Sequence, residues 1–423
     1  MSIFEQRESD IRAYCRVYPV VFEKAENAIQ TDENGKEYID FFAGAGVLNF
    51  GHNNERMTKA VIDYIQSKGV MHSLDMHTTA KRDYMQCFVD TILVPRKMSH
   101  KMQFMGPTGT NAVEAALKLA RRATGRHDII AFTKGFHGMT LGSLACTANE
   151  YFRGAAGIPL LHVGHQPFGC DKPCQGCEMG CGIANLEALR AQYSDGSSGV
   201  NPPASFLVET IQAEGGVNVA DKAWLKALAK LAKDVGSLLI VDDIQVGMGR
   251  TGSFFSFDDV GIDPDIICLA KGLGGLGTPM AMNLVKPEID KLWSPGEHTG
   301  TFRGQSLSFV AGKQALSYFE NDELMQEVKA NAEIMKKALE PLESIKGIQV
   351  RGKGMILGLD VSDGSLARTI IDDCFSKGLL IATCGSGGRV IKLIPPLTIP
   401  ERDLKEGLVI LVNATRHALE AAL

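Results

Sequence analysis

Three short stretches hold the residues best suited to chemistry. In GPTGTNAVEAALKLAR, which begins at Gly106, Gly109 and Thr110 stand where an apolar run gives way to a helical pattern. Free backbone N–H groups and the helix dipole make such a junction an anion site, and a hydroxyl at Thr110 adds a donor. The same residues also read as a capped helix with nothing bound. No Gly-Lys-Ser/Thr follows, so the spacing is not that of a P-loop. In VDDIQVGMGRTG, Asp242 and Asp243 end an apolar run. Adjacent strand residues face opposite ways, so one of the two is expected in a shared pocket. A carboxylate there needs a partner, either a capped turn or a cationic ligand group. In DIICLAKGLGG, Lys271 lies between an apolar run and a glycine-rich turn. An amine held there out of water has a lowered pKa, which suits Schiff-base formation.

The elements that must position these groups follow from the apolar pattern. From about residue 100, the short runs MQFM, IIAFT, SFLVETI, LLIVD and IICLA alternate with helical segments. Such runs read as parallel strands buried on both faces. The segment NAVEAALKLARRATG puts Val113, Ala116, Leu117 and Ala120 on one helical stripe. An α/β fold with a parallel central sheet is expected, its ligands gathered at the carboxyl ends of the strands. Before it, AIQTDENGKEYIDF reads as a hairpin turning at Asp32-Glu33-Asn34-Gly35. After about residue 310, a long helical segment leads into GIQVRG, MILGLDV and RVIKLIPPL, a smaller α+β unit. The expected division is 1–55 (arm and part of a small domain), 56–310 (large domain) and 311–423 (C-terminal small domain).

Composition excludes several classes. Of 423 residues, 45% are hydrophobic and 22% charged, which is ordinary for a globular chain and not for a disordered one. The net charge of −5 supplies no basic field for nucleic acid. The stretch 266–285 is apolar, but Lys271, four glycines and Pro279 interrupt it, so a buried segment is expected rather than a membrane span. The start carries both charge signs and no apolar core. Ten cysteines in so long a chain do not suggest a secreted disulfide scaffold, and we expect a cytoplasmic protein with its thiols mostly reduced.

A phosphate cradle, a strand-end carboxylate and a desolvated lysine together describe a pyridoxal phosphate site. In order along the chain, TGTNAVEAALKLAR, FTKGFHGMT, VETIQAEGG, VDDIQVGMGRTG, PDIICLAKGLGG, GTFRG and PPLTI cover nearly its whole length. With these motifs it resembles the class III (omega) aminotransferases, which are pyridoxal phosphate-dependent fold-type I transferases. The resemblance implies a cofactor of pyridoxal 5'-phosphate and a role for each matching residue. Lys271 would form the internal aldimine and shuttle the proton. Asp242 would pair with the ring nitrogen, Gln245 with the 3-oxygen, and Phe136 would stack on the ring, with His137 beside it lining the pocket. Gly109 and Thr110 would bind the phosphate, and Thr301 would reach the phosphate of a partner subunit, which requires a homodimer or higher homo-oligomer. Glu209 and Glu214 match two acids of the family. The second often pairs with a late arginine and swings away for a dicarboxylate. Here the matching position is Lys392, with Arg389 three residues earlier, so either Lys392 is a point-charge partner or another cation takes the role.

Within the family, AGAGVLNFGHNN, GPTGTNA, VDDIQ and GTFRG are nearest to members that move the 4-amino group of L-2,4-diaminobutyrate to 2-oxoglutarate by a ping-pong mechanism. Donors such as 4-aminobutyrate, ornithine or acetylornithine, or racemase or aminomutase chemistry on the same fold, are the competing readings. Cys170, Cys174, Cys177 and Cys181 form C-x3-C-x2-C-x3-C, a spacing that holds zinc or an iron–sulfur cluster, or simply free thiols in a glycine-rich loop. No nucleic-acid or membrane partner is expected.

Overall fold

Residues 2–169 and 181–421 are described by the computed structural model; the cysteine cluster, with the side chain of Cys181 included, lies outside the described residues. Seven strands form the central sheet, in the order Lys101–Phe104, Met282–Val285, Ile266–Leu269, Leu238–Asp242, Ser205–Val208, Ile129–Phe132, Val163–Gln166. The last four neighbouring pairs are parallel; only Met282–Val285 runs against both its neighbours. The sheet is therefore mostly parallel, as expected. Strands Met282–Val285 and Val163–Gln166 were not among the expected runs. The apolar stretch 266–285 resolves into two of these strands joined by the Lys271 turn. No helix among the described residues is long and apolar enough to cross a membrane.

Both faces of the sheet are buried, which is why its strands are apolar without alternation. Leu207, Ile240, Ile266 and Cys268 pack in one core with Val113, Ala116 and Leu117 of the helix Gly109–Thr124. The intervening residues Phe206, Val208, Leu239, Val241, Ile267 and Leu269 pack in the other core with Trp224, Leu225 and Leu228.

The two chain ends supply two smaller sheets. The hairpin Ile29–Asp32 with Glu37–Asp40 turns at Gly35, whose φ is +84°, and Leu379–Leu380 adds to it in parallel, Leu379 opposite Ile39. An antiparallel sheet of Gln349–Lys353, Ile356–Asp360, Val390–Leu393 and Ala382–Cys384 lies beyond.

Candidate active site

A cavity of about 150 Å³ opens at the carboxyl ends of the central strands. Its walls include Gly109, Thr110, Phe136, Glu209, Glu214, Asp242, Gln245 and Lys271. With His137, which also lines it, nine residues named from the sequence are thus brought together. Thr301 is exposed and does not line this cavity.

Strand alternation decides between the two adjacent acids. Asp242 shares the phase of Ile240, the face that carries the helix Gly109–Thr124, and so enters the cavity beside that helix's N-terminus. It is 5% exposed and accepts from His137 Nδ1 at 2.7 Å and from the Ile244 N–H at 3.2 Å. Asp243 takes the opposite phase and accepts from the Ser256 hydroxyl and N–H. Burial pushes the Asp243 carboxyl up to about 7 despite those bonds.

The helix Gly109–Thr124 starts at Thr108, whose side chain makes no capping hydrogen bond. Its first N–H groups therefore remain available to an anion. A Cβ at Gly109 would lie 3.0 Å from Ile244 Cδ1, so a side chain there would crowd that neighbour. The Thr110 hydroxyl sits in a cluster with those of Ser143, at 2.5 Å, and Thr140, at 2.6 Å. Glu114 orients the cluster by accepting from the Thr140 hydroxyl and from the Gly142 and Ser143 N–H groups.

Charges in the cavity are strongly perturbed. Burial lowers the Lys271 pKa to about 8, and the charge of Lys392 adds to this against the pull of Glu214, Asp242 and Glu209. Burial raises Glu209 to about 8, opposed by His137 and by the Phe136 N–H it accepts at 3.0 Å. Burial disfavours the His137 imidazolium, but Asp242 overcomes this and holds its pKa above the usual value. Glu214 accepts from Lys392 Nζ and from Gln245 Nε2, the latter at 3.1 Å. Burial opposes its charge, yet Lys392 and Lys271 bring it down to about 2. Between the two late cations the geometry selects Lys392, which is 1% exposed. Arg389 instead pairs with Asp360 at 3.1 Å.

Sequence reading passed over Ile211, Ile244 and Val246 as apolar walls. It also missed the Thr140–Ser143–Glu114 network, although the hydroxyls of GFHGMTLGS directly after Phe136 were its signal. Among the described residues, no group of three or more His, Cys, Asp or Glu could hold a metal ion.

Residues 12–415 match the family model for class-III aminotransferases. Similar curated proteins include diaminobutyrate–2-oxoglutarate transaminases from Wolinella succinogenes, 49% identical over 99% of this chain and 97% of the relative, and from Halomonas elongata, 47% identical over 98% and 99%. Among solved structures, the Toxoplasma gondii ornithine aminotransferase superposes with a TM-score of 0.83 over 99% of this chain and 94% of that one, at 24% identity. A transaminase from directed evolution by ancestral reconstruction reaches 0.88 over 100% and 98%, at 20% identity. These two likenesses concern the fold.

Proposed function

The chain belongs to the class-III aminotransferases, and we propose that it moves the terminal amino group between L-2,4-diaminobutyrate and 2-oxoglutarate, giving aspartate 4-semialdehyde and glutamate. The observation that carries this reading is the near-full-length similarity, at 47–49% identity, to diaminobutyrate–2-oxoglutarate transaminases, joined to a cavity that fits pyridoxal phosphate. Pyridoxal phosphate, when bound, supplies an aldehyde that takes up amino groups and a ring that accepts the electron pair of an ionised C–H bond.

The residues present fit that group. The uncapped helix start at Gly109 and Thr110, with the nearby hydroxyl cluster, suits a phosphate. Asp242 is a buried carboxylate held by an imidazole, placed to keep a proton on a ring nitrogen. Phe136 and Ile244 offer apolar surface to ring faces. Lys271 is the amine that would hold the aldehyde. Displaced by an incoming amino group, it becomes the base that moves a proton at the substrate carbon, and a pKa near 8 leaves it close to the working range of such a base. Burial raises the Glu209 pKa to about 8, which favours its neutral form and lessens charge repulsion with Asp242. At the far end, Lys392 is the cation for a substrate carboxylate, and Glu214 holds the place until one arrives. The two half-reactions then use one cavity in turn, a ping-pong scheme.

We assign the protein to the cytoplasm and to a homodimer in which Thr301 completes the partner's phosphate site, with the chain divided at about residues 55 and 310. A steady-state comparison of amino donors with 2-oxoglutarate tests the reaction. The highest kcat/KM is expected for L-2,4-diaminobutyrate; a higher value for 4-aminobutyrate, ornithine or acetylornithine would overturn the donor assignment.

A further inference from the structure

Arg250, in VDDIQVGMGRTG, is among the largest side chains that the fold buries completely. Its guanidinium meets neutral acceptors: Nη1 donates to the Met355 carbonyl at 3.2 Å and to the Pro395 carbonyl, and Nη2 to Asn49 Oδ1 at 2.6 Å. Nε has no partner among the described residues. Burial brings the pKa down to about 9 against the pull of Asp40. A buried cation held this way is costly, and an apolar side chain of similar volume would fill the space at less cost. The bonds it makes therefore need a reason beyond packing. They join distant parts of the chain. Met355 stands between the strands Gln349–Lys353 and Ile356–Asp360, and Pro395 follows the strand Val390–Leu393. Asn49 is 201 residues away in sequence, and its own carbonyl accepts from the Leu397 N–H at 2.7 Å.

Arg250 decides how the Asn49 amide lies. A guanidinium only donates, so it takes Oδ1, and Nδ2 is turned to the Met248 carbonyl at 3.1 Å. Nδ2 is thereby the atom set against Gly272, where a Cβ would lie 2.9 Å from it and 3.1 Å from Asn49 Cγ. Gly272 directly follows Lys271, whose φ is +51°. The short turn Lys271–Gly274 is closed by the Gly275 N–H on the Gly272 carbonyl at 3.0 Å. Neither Asn49 nor Arg250 lines the cavity into which Lys271 reaches.

We propose that Arg250 positions the Lys271 amine through Asn49: the guanidinium locks the amide against Gly272, and the locked amide holds the lysine turn in the one conformation that aims the amine into the cavity. The proposal rests on the pyridoxal phosphate reading of that cavity. Arg250 touches neither substrate nor cofactor there, so it is a positioning residue. Its bonds to Met355 and Pro395 also tie the lysine turn to the C-terminal unit. The aim of the amine then depends on how that unit is seated.

Two forms of the cofactor separate this role from a general structural one. Pyridoxal 5'-phosphate must meet the Lys271 amine to be held covalently. Pyridoxamine 5'-phosphate has no aldehyde and uses only the surrounding contacts. Stopped-flow absorbance gives the rate at which full-length apoenzyme captures the aldehyde form, and calorimetry gives the Kd of the amine form. In Arg250→Met and in Gly272→Ala, capture is expected to slow by about tenfold or more, with the pyridoxamine phosphate Kd unchanged. The double variant is expected to lose less than the product of the two, because both act on one contact. Should Arg250→Met not fold, Asn49→Ala takes its place. Added to Gly272→Ala, it removes the atoms that the new methyl group meets and should restore part of the capture rate. Unchanged capture in the single variants, an equal loss for both cofactor forms, losses that multiply, or no recovery in the Asn49→Ala pair would each overturn the positioning role. All of these leave the proposed function standing, since native apoenzyme still captures the cofactor. Native apoenzyme that captures no pyridoxal phosphate would remove the cofactor reading and this proposal together.

Discussion

Lys271 holds a backbone φ of +51°, a left-handed conformation that side chains other than glycine rarely adopt. Its neighbours enforce this. Ala270 is fully extended, and a Cβ on Gly272 would lie 2.9 Å from Asn49 Nδ2. Asn49 in turn donates to the Met248 carbonyl at 3.1 Å and accepts from the buried Arg250 at 2.6 Å. Strain of this kind persists only where the surroundings over-determine it, and here it aims an amine into the cavity. Two outcomes follow at this scale. Lys271→Ala should abolish both turnover and the absorbance of lysine-bound cofactor, and a normal spectrum in that variant would refute the assignment. Cofactor capture by the apoenzyme should accelerate as pH rises through about 8, because the neutral amine is the nucleophile and burial has lowered its pKa to that value. Stopped-flow capture rates rising instead around an ordinary lysine value, near 10.4, would contradict the buried-amine picture.

At the scale of elements, alternation and capping account for most of the positioning. Strand Leu238–Asp242 delivers Asp242 to the cavity and Asp243 to Ser256 simply because the side-chain period is two. The apolar runs made this strand legible, and the opposite facing of the pair with it; which acid faces the helix Gly109–Thr124 required the packed sheet. The helix Lys222–Asp234 supports the other face through Trp224, Leu225 and Leu228. Asp221 caps it, accepting from the Ala223 and Trp224 N–H groups at 2.8 and 3.2 Å. Asp221→Ala should cost about 1 kcal/mol in denaturant unfolding while leaving kcat unchanged, since the cap lies outside the cavity. A loss of kcat at constant stability would show that this face communicates with the site.

Across the whole molecule, the chain ends fold back on each other. Pairing of Leu379–Leu380 with Glu37–Asp40 draws the C-terminal part against the N-terminal hairpin, and Lys392 meets Glu214 across 178 residues of sequence. The proposed homodimer would extend this logic to a second copy. Thr301 is exposed beside Phe302, which is itself 58% exposed and edge-on to His72 at 5.3 Å. Thr301→Ala should weaken cofactor retention during dialysis in a confirmed dimer. Unchanged retention there would argue against a role across the interface.

By itself, the amino-acid order determined the local patterns: the buried strand runs, the helix after Gly109, the hairpin at Gly35, and the lysine, acid and glycine motifs that mark the family. Each depends on residues close in sequence, where spacing translates directly into a shared face. Tertiary structure alone decided that Lys392 rather than Arg389 neutralises Glu214, and that Gln245 spends its donors on Ala45, 200 residues away, and on Glu214. Lys392 and Arg389 are cations three residues apart, and only the fold of the last sheet turns one inward to Glu214 and the other to Asp360. Hydrogen bonds and ion pairs act over a few ångströms, so their partners are chosen by how distant segments pack, which no local pattern records.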